Sequence, residues 1–548
     1  MRSSNRNGVV LFIVTIVIAL VALSAYGFVV LMQGEYRAAQ LRGDTIQTEA
    51  ITDSAIEYSM SLIGLPRYHR DSLGIQANEQ AFRNVMVDRT GFRNRNGQFS
   101  IVSFGRTETL QSFVRFGFAN ESAKLPLAAV LKWDEQSPGA GRQALMQIPR
   151  MTESTADAIL DWIDEDSEVR EFGAEDFFYM SLTPPREPAN RLPTFIHELL
   201  NVRGVTRGLL FGVDVNRNGR IEEHERPHVH QEHTQYSSES RASVDRSANP
   251  TPRETDTFGI DESNLHLGWH EFMTVASKEK NVNRFGQPRI NVNAEDVSML
   301  HRQLESSFGL EVANFIVAYR QFGPYDGAAT TLSDSDVPRP ATIAAEFEVS
   351  QKLALLTSQV AIGEEEAAEV FESPLKKRDT DLGDFFDAIT LSDEKIATGR
   401  INVLLAPREV LTAIPGLSTE AVNGIIDARS SLHPGEPKPS HPYWLVEEGV
   451  VDVNELQQIE DFMTHGGDVF KAQIVAYYDE ESPWDRGELM VDGSGETPQK
   501  VYYTSLNHLG RGFLAEEILV PVDDEFPSEI DDRNSPPTAP TEYSNEPF

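Results

Sequence analysis

Twelve residues, Asp214-Val215-Asn216-Arg217-Asn218-Gly219-Arg220-Ile221-Glu222-Glu223-His224-Glu225, follow the spacing of an EF-hand calcium loop. Such a loop needs oxygen side chains at positions 1, 3, 5 and 9, a backbone carbonyl at 7, a turn-forming glycine at 6 and a glutamate at 12. Asp214, Asn216, Asn218, Glu222, the Arg220 carbonyl, Gly219 and Glu225 fill those places. Asparagines at two aspartate positions lower the ligand charge and predict weaker binding; the competing reading is a plain Asn-Gly turn, as at Asn96-Gly97. A second acidic cluster runs Asp161-Trp162-Ile163-Asp164-Glu165-Asp166, with Glu175 and Asp176 after Gly173. It reads either as a solvated helix end or, with Glu175 brought back by the Gly173 turn, as carboxylates around a cation. His224, His228, His230 and His233 could ligate a transition metal, but their polar surroundings favour a plain loop. No G-x-S-x-G, H-E-x-x-H, P-loop or dinucleotide fingerprint is present, so no enzyme activity is expected.

These residues sit in a chain of 548 residues with 48 Lys and Arg against 85 Asp and Glu, a net charge of −37. That length exceeds one compact core. The acidity argues against nucleic-acid binding, which draws on Lys and Arg to neutralise phosphates. It also makes hard cations plausible ligands. The absence of cysteine removes disulfides, thiolate metal sites and cysteine nucleophiles.

Val9 to Met32 carries no charged residue and follows Arg2 and Arg6. It is long enough to span a bilayer, and the basic leader predicts a single pass with the N-terminus cytoplasmic. An amphipathic pattern from Ala38 to Ile63 predicts that the helix continues outward until Pro66. Strands are expected at Gln98 to Phe104 and Gln111 to Phe118, and again at Val469 to Tyr478, Glu488 to Val491, Val501 to Leu506 and Ile518 to Val522. The middle reads as short helices and long loops. The fold class is therefore α+β, a small antiparallel sheet interrupted by a large, mostly helical insertion. The expected divisions are a leader 1–8, a membrane helix 9–32, a helix with first strands 33–131, the insertion 132–465, returning strands 466–522 and an acidic, disordered tail 523–548. His224 to Thr257 and Gly323 to Pro340 are expected to lie outside any core.

The insertion carries a weak internal repeat. Arg289-Ile290-Asn291-Val292 precedes Phe308-Gly309-Leu310, and Arg400-Ile401-Asn402-Val403 precedes Ile414-Pro415-Gly416-Leu417. A fainter copy runs from Lys124-Leu125-Pro126 through Ile148-Pro149-Arg150 to Ala156-Asp157-Ala158. Each reads as an extended lead-in, a short helix, a tight turn and a second helix, similar to a helix-hairpin-helix, or SAM-like, unit. Such turns can present amides to a DNA phosphate, so the alternative function is a signal-anchored envelope protein that binds DNA. Arg150 in place of glycine and the lack of basic clusters weigh against it.

The basic leader ending at Gly8, with a hydrophobic helix from Val9 that becomes amphipathic, resembles type IV prepilins, in which a prepilin peptidase cuts after the glycine. Ile13 stands where most members carry glutamate, a departure shared with K-type minor pseudopilins. The ordered set Asp161-Trp162-Ile163-Asp164-Glu165-Asp166, Gly173-Ala174-Glu175 with Tyr179, Pro184-Pro185-Arg186 with Asn190, Glu198-Leu199-Leu200-Asn201-Val202-Arg203-Gly204, and later Ile401-Asn402-Val403 resembles the type II secretion minor pseudopilin K family. The resemblance implies a noncatalytic pseudopilin anchored in the inner membrane, its bulk periplasmic. It would sit at the pseudopilus tip with I- and J-type minor pseudopilins and other secretion components, without nucleic acid. It also implies calcium in the insertion, which raises Asp164, Asp166, Glu175 and the Asp214 loop as ligands. The EF-hand-like loop and the acidic tail depart from the family pattern.

Overall fold

In a computed structural model the structure describes all residues except 1–6, 90–95, 107–111, 223–224, 226–267, 326, 328–331, 334, 340–344, 364–367, 378–381, 433–437, 479–481 and 520–548. The apolar run and its amphipathic continuation form one helix, α1 (Asn7–Ile63). Its most apolar stretch has a mean hydropathy of 2.6, long and apolar enough to cross a membrane. Side chains from Val10 to Leu41 are exposed, whereas Thr48, Ile51, Thr52, Ala55, Ile56, Ser59 and Ile63 are buried. That spacing draws one stripe along the helix face, and each isoleucine on it contributes about 2 kcal/mol by leaving water. Gly64 and Pro66 end the helix; Pro66 has no N–H to continue the ladder.

The stripe packs on a seven-stranded antiparallel sheet: β1 (Val85–Arg89), β2 (Asn96–Arg106), β3 (Ser112–Phe116), β4 (Ala119–Asn120), β5 (Val469–Tyr477), β6 (Asp485–Asp492) and β7 (Gln499–Ser505). The order is β1-β2-β5-β6-β7, with β3 also on β2 and β4 on β5. Because β2 pairs with β5, the residues between β4 and β5 are inserted into the sheet. Alternation along β5 sends Phe470, Ala472, Ile474 and Ala476 to the α1 side, and Val475 and Tyr477 to the opposite face, where with Val102 of β2 they pack against Phe513 and Ile518.

The insertion has its own core, with Trp133, Trp269, Phe315 and Phe386 among its large buried side chains. Its three hairpins are Ala140–Leu145 with Glu153–Ile163, Val297–Phe308 with Leu310–Phe322, and Arg408–Thr412 with Thr419–Ser430. Their turns hold Arg150, Gly309 and Gly416 at φ of 62°, 89° and 84°. Arg150 therefore adopts the left-handed conformation that glycine supplies in the other two copies. The lead-ins are two-residue strands, each paired in parallel with a later segment. Leu125–Pro126 pairs with Met273–Thr274, Ile290–Asn291 with Ile389–Thr390, and Ile401–Asn402 with Met463–Thr464.

Two local expectations are corrected and one strand is added. Ile518 ends a helical turn, Ala515–Ile518, instead of beginning a strand; Leu514 N donates to Glu517 Oε2 (3.1 Å) to close that turn. Val337, expected in a linker, is core, and its carbonyl accepts from Asn314 Nδ2 (2.9 Å). β1 was not anticipated.

Candidate cation sites in the inserted unit

Thr152 caps the helix Glu153–Ile163 by accepting from Thr155 N (3.3 Å). The register of that helix buries Asp157 and Asp161 completely. Asp157 takes a two-pronged bond from Arg142 (2.6 and 2.7 Å) and one from Phe172 N (3.1 Å). Asp161 accepts from Arg170 Nη1 (2.8 Å). Arg170, the single basic residue between Asp161 and Asp176, also pairs with Asp164 and reaches Asp134 on a neighbouring helix at 3.0 Å. Three carboxylates hold its guanidinium charged, while burial pushes the Asp161 and Asp164 carboxyls up. At Gly173 a Cβ would stand 1.8 Å from Asp161 Oδ2, so only glycine lets the chain turn back here.

That turn delivers Glu175 to the site, 5% exposed. Neither of its carboxyl oxygens has a hydrogen-bond partner, and the same holds for Asp164 Oδ1 and Asn190 Oδ1. Asn190 is held alongside by its N–H to Trp162 O (3.1 Å) and its Nδ2 to Asp166 O (3.2 Å). Burial first, then Asp161, Asp164, Asp176 and Asp166, push Glu175 up to about 7. Buried oxygens without donors are costly, and a hard cation is the partner such a set fits. Among the described residues no three His, Asp or Glu side chains stand close enough to hold a metal outright, so binding would have to draw Asp164 and Glu175 together. Asp166 lies at the exposed rim, where it accepts from Glu168 N (2.7 Å). Arg170, Asp134 and Asn190 were not singled out as site residues; Arg170 was visible as the lone cation in the cluster.

The Asp214 loop is closed on itself. Asp214 accepts from Asn218 N (3.1 Å) and Gly219 N (2.7 Å), and Glu225 accepts from Asn216 N (3.0 Å) and Glu222 N (3.1 Å). Asn216 and Asn218 direct their amide N–H groups to Glu222 at 3.2 and 2.9 Å. The structure thus brings Asp214, Asn216, Asn218, Glu222 and Glu225 together. The Asn216 and Asn218 amide oxygens accept from Asn218 N and Arg220 N, each at 2.9 Å. Burial raises Asp214 to about 6 against the pull of its amide donors. The loop is also stitched to the sheet. Gln473 Nε2 donates to Arg217 O (2.7 Å), Asn218 Nδ2 to Gly512 O (2.8 Å), and Arg220 pairs with Glu517.

Gly8 and Val9 lie in the first turns of α1. His224, His228, His230 and His233 fall outside the described residues. Gly416 is exposed on its turn, beside Ile459, whose Cγ2 a Cβ would meet at 3.3 Å.

Residues 135–210 match the family model for type II secretion system (T2SS), protein K. An Escherichia coli (strain K12) protein carrying the name type II secretion system protein K is 41% identical over 58 residues. The likeness to type II secretion system protein K is therefore carried by this one segment of the insertion. The aligned stretch makes up 11% of this chain and 18% of that relative, so the chain matches under a fifth of the relative's length. A chain in the crystal structure of the GspK-GspI-GspJ complex from the enterotoxigenic Escherichia coli type 2 secretion system aligns over 85% of this chain and 98% of its own. Its identity is 10% and its TM-score 0.32. Asp161, Asp164, Arg170, Glu175 and Asn190 all lie within the protein K match, whereas the Asp214 loop lies beyond it.

Proposed function

We propose that this chain is a noncatalytic minor pseudopilin at the tip of a type II secretion pseudopilus, serving protein export across the outer membrane. The observation that carries the reading is a membrane-length helix packed on a sheet whose insertion holds the protein K match. Its partners in this reading are the I- and J-type minor pseudopilins, other components of the secretion system and the prepilin peptidase. The peptidase would cut between Gly8 and Val9, leaving α1 in the inner membrane and the bulk in the periplasm. Ile13, exposed on α1, suits a first subunit: a carboxylate there would serve to pair with the terminal amine of a subunit above, and a tip has none. Mass spectrometry of the mature N-terminus tests the processing, with Val9 as first residue expected. An intact Met1 or a cut beyond residue 25 would overturn it. If Ile13→Glu leaves tip placement and secretion unchanged, the argument from Ile13 fails.

Calcium belongs to the same reading. Asp164, Asp166 and Glu175, supported by the unpartnered oxygens, form one site. Asp214, Asn216, Asn218, the Arg220 carbonyl, Glu222 and Glu225 form a second. A melting temperature indifferent to EGTA would remove both.

A further inference from the structure

Pro439 to Trp444 meets Met463 to His465 inside the insertion, beside the short helix Arg67–Leu73 that follows α1. His465 Nε2 faces the indole N–H of Trp444 at 2.7 Å, and its Nδ1 lies 3.1 Å from Pro439 O. An indole N–H only donates and a carbonyl only accepts. The ring is therefore neutral, with its proton on Nδ1. His441 is similarly constrained: its Nδ1 accepts from Tyr443 N (3.2 Å), while its Nε2 faces Glu460 Oε1 at 3.4 Å. Both rings are buried.

The charged groups around them are held in place by packing, and burial lowers Lys352 and raises Glu460 beside them. Arg67 donates to Ser440 O and pairs with Asp387, each at 3.0 Å. Arg289 pairs with Asp387 (3.0 Å) and Glu279 (3.2 Å). Lys352 donates to Phe386 O (3.1 Å), and Arg400, Glu460 and Asp461 complete the lining. Burial, then His441 and Arg67, hold His465 well below the usual imidazole range; burial and Lys352 do the same for His441. Glu460 could receive a protonated His441 as an ion pair, whereas both hydrogen-bond partners of His465 are uncharged. His465 is the more sensitive of the two.

We propose that His465, with His441 behind it, is an acid-released latch that holds the Pro439–Trp444 segment against Met463–His465 and the Arg67 anchor. Protonating Nε2 sets an N–H against the Trp444 indole N–H and adds a cation beside Arg67. The opened segment presents an ordinary imidazole with a pKa of about 6.5, so falling pH favours opening. At pH 5.0 one such group shifts the opening equilibrium roughly 30-fold.

Hydrogen exchange of the full chain in detergent, corrected for intrinsic rates, tests this at pH 7.5 and 5.0. Amides of 438–446 and 463–466 should lose protection at least roughly 30-fold on acidification. The loss should shrink roughly 30-fold in His465→Gln, whose amide can accept from Trp444 and donate to Pro439, the remainder belonging to His441. Equal protection at both pH values in the wild type, or a full acid response in H465Q, would overturn the latch. Should H465Q fail to fold, NMR titration of His465 in the wild type decides: a pKa at or above 6.5 refutes the proposal.

Discussion

Replacing Glu175 with glutamine removes a charge that the fold does not satisfy. The carboxyl lies at about 7 against an ordinary 4.5, with burial the first cause. Two and a half pH units correspond to about 3 kcal/mol disfavouring the ionised folded form. Because the folded value is the higher one, the wild type is most favoured below pH 4.5 and loses stability as pH rises through 7. Glu175→Gln lacks that slope. In EGTA, urea unfolding of the two proteins should give a difference that grows between pH 5 and 8 by about 2–3 kcal/mol in favour of E175Q. Calcium at a hundredfold its dissociation constant should return about 2.7 kcal/mol more to the wild type at pH 8 than to the variant, which keeps the Asp214 loop. A difference constant from pH 5 to 8 would refute a buried titrating carboxyl. Equal stabilisation of both proteins by calcium would refute its role as a ligand.

Arg170→Met leaves Asp161 and Asp164 without their guanidinium, and at pH 7.5 should cost about 3–5 kcal/mol. The loss should shrink at pH 5, where carboxyls already raised by burial take protons; urea midpoints at the two pH values check it. Gly173→Ala places a Cβ 1.8 Å from Asp161 Oδ2. It should cost about 1–3 kcal/mol, read by chemical denaturation. Gly219→Ala puts a Cβ 2.0 Å from the Phe104 ring at a φ of +76°. Hydrogen exchange should show the Asp214 loop losing protection while the α1–sheet core keeps its own.

What was legible in the sequence follows from period and contrast. The charge-free run and the stripe from Thr48 to Ile63 announce α1, and alternating apolar residues announce β2 and β5. β1 escaped because Val85 to Arg89 follows a short helix and pairs with β2 through an irregular register. Ile518 was misread because its apolar neighbours suggested a strand; with Phe513 it covers Val102 and Val475 instead. At the acidic site the carboxylates could be seen. The clamp that organises them could not, since Arg170 joins Asp161 and Asp164 to Asp134, which is remote in the chain. The faint repeat proved structural for a reason absent from any single copy: each lead-in needs a partner strand supplied by a later part of the insertion.

The neck of the insertion explains how one small sheet can carry so large a unit. The chain leaves at β4 and returns at β5, and these strands pair directly, Ala119 with Lys471 and Asn120 with Phe470. Both ends of the insertion therefore start adjacent, and closing the connection costs little more as it lengthens. Asn120 Nδ2 donates to Gly467 O (3.2 Å) across the neck. Further ties run from the region after α1, where Arg70 pairs with Asp468 and Arg67 with Asp387. Thr464 and Thr274 bond buried Glu279 and Glu121 at 2.6 and 2.5 Å, fixing two parallel bridges close to the same neck. A unit held at so many points cannot swing freely on its stalk. Its orientation relative to α1 is set by buried charge pairs, which cost several kcal/mol to break one partner at a time. Arg67 and Arg70, in the short helix after α1, each hold one of these pairs.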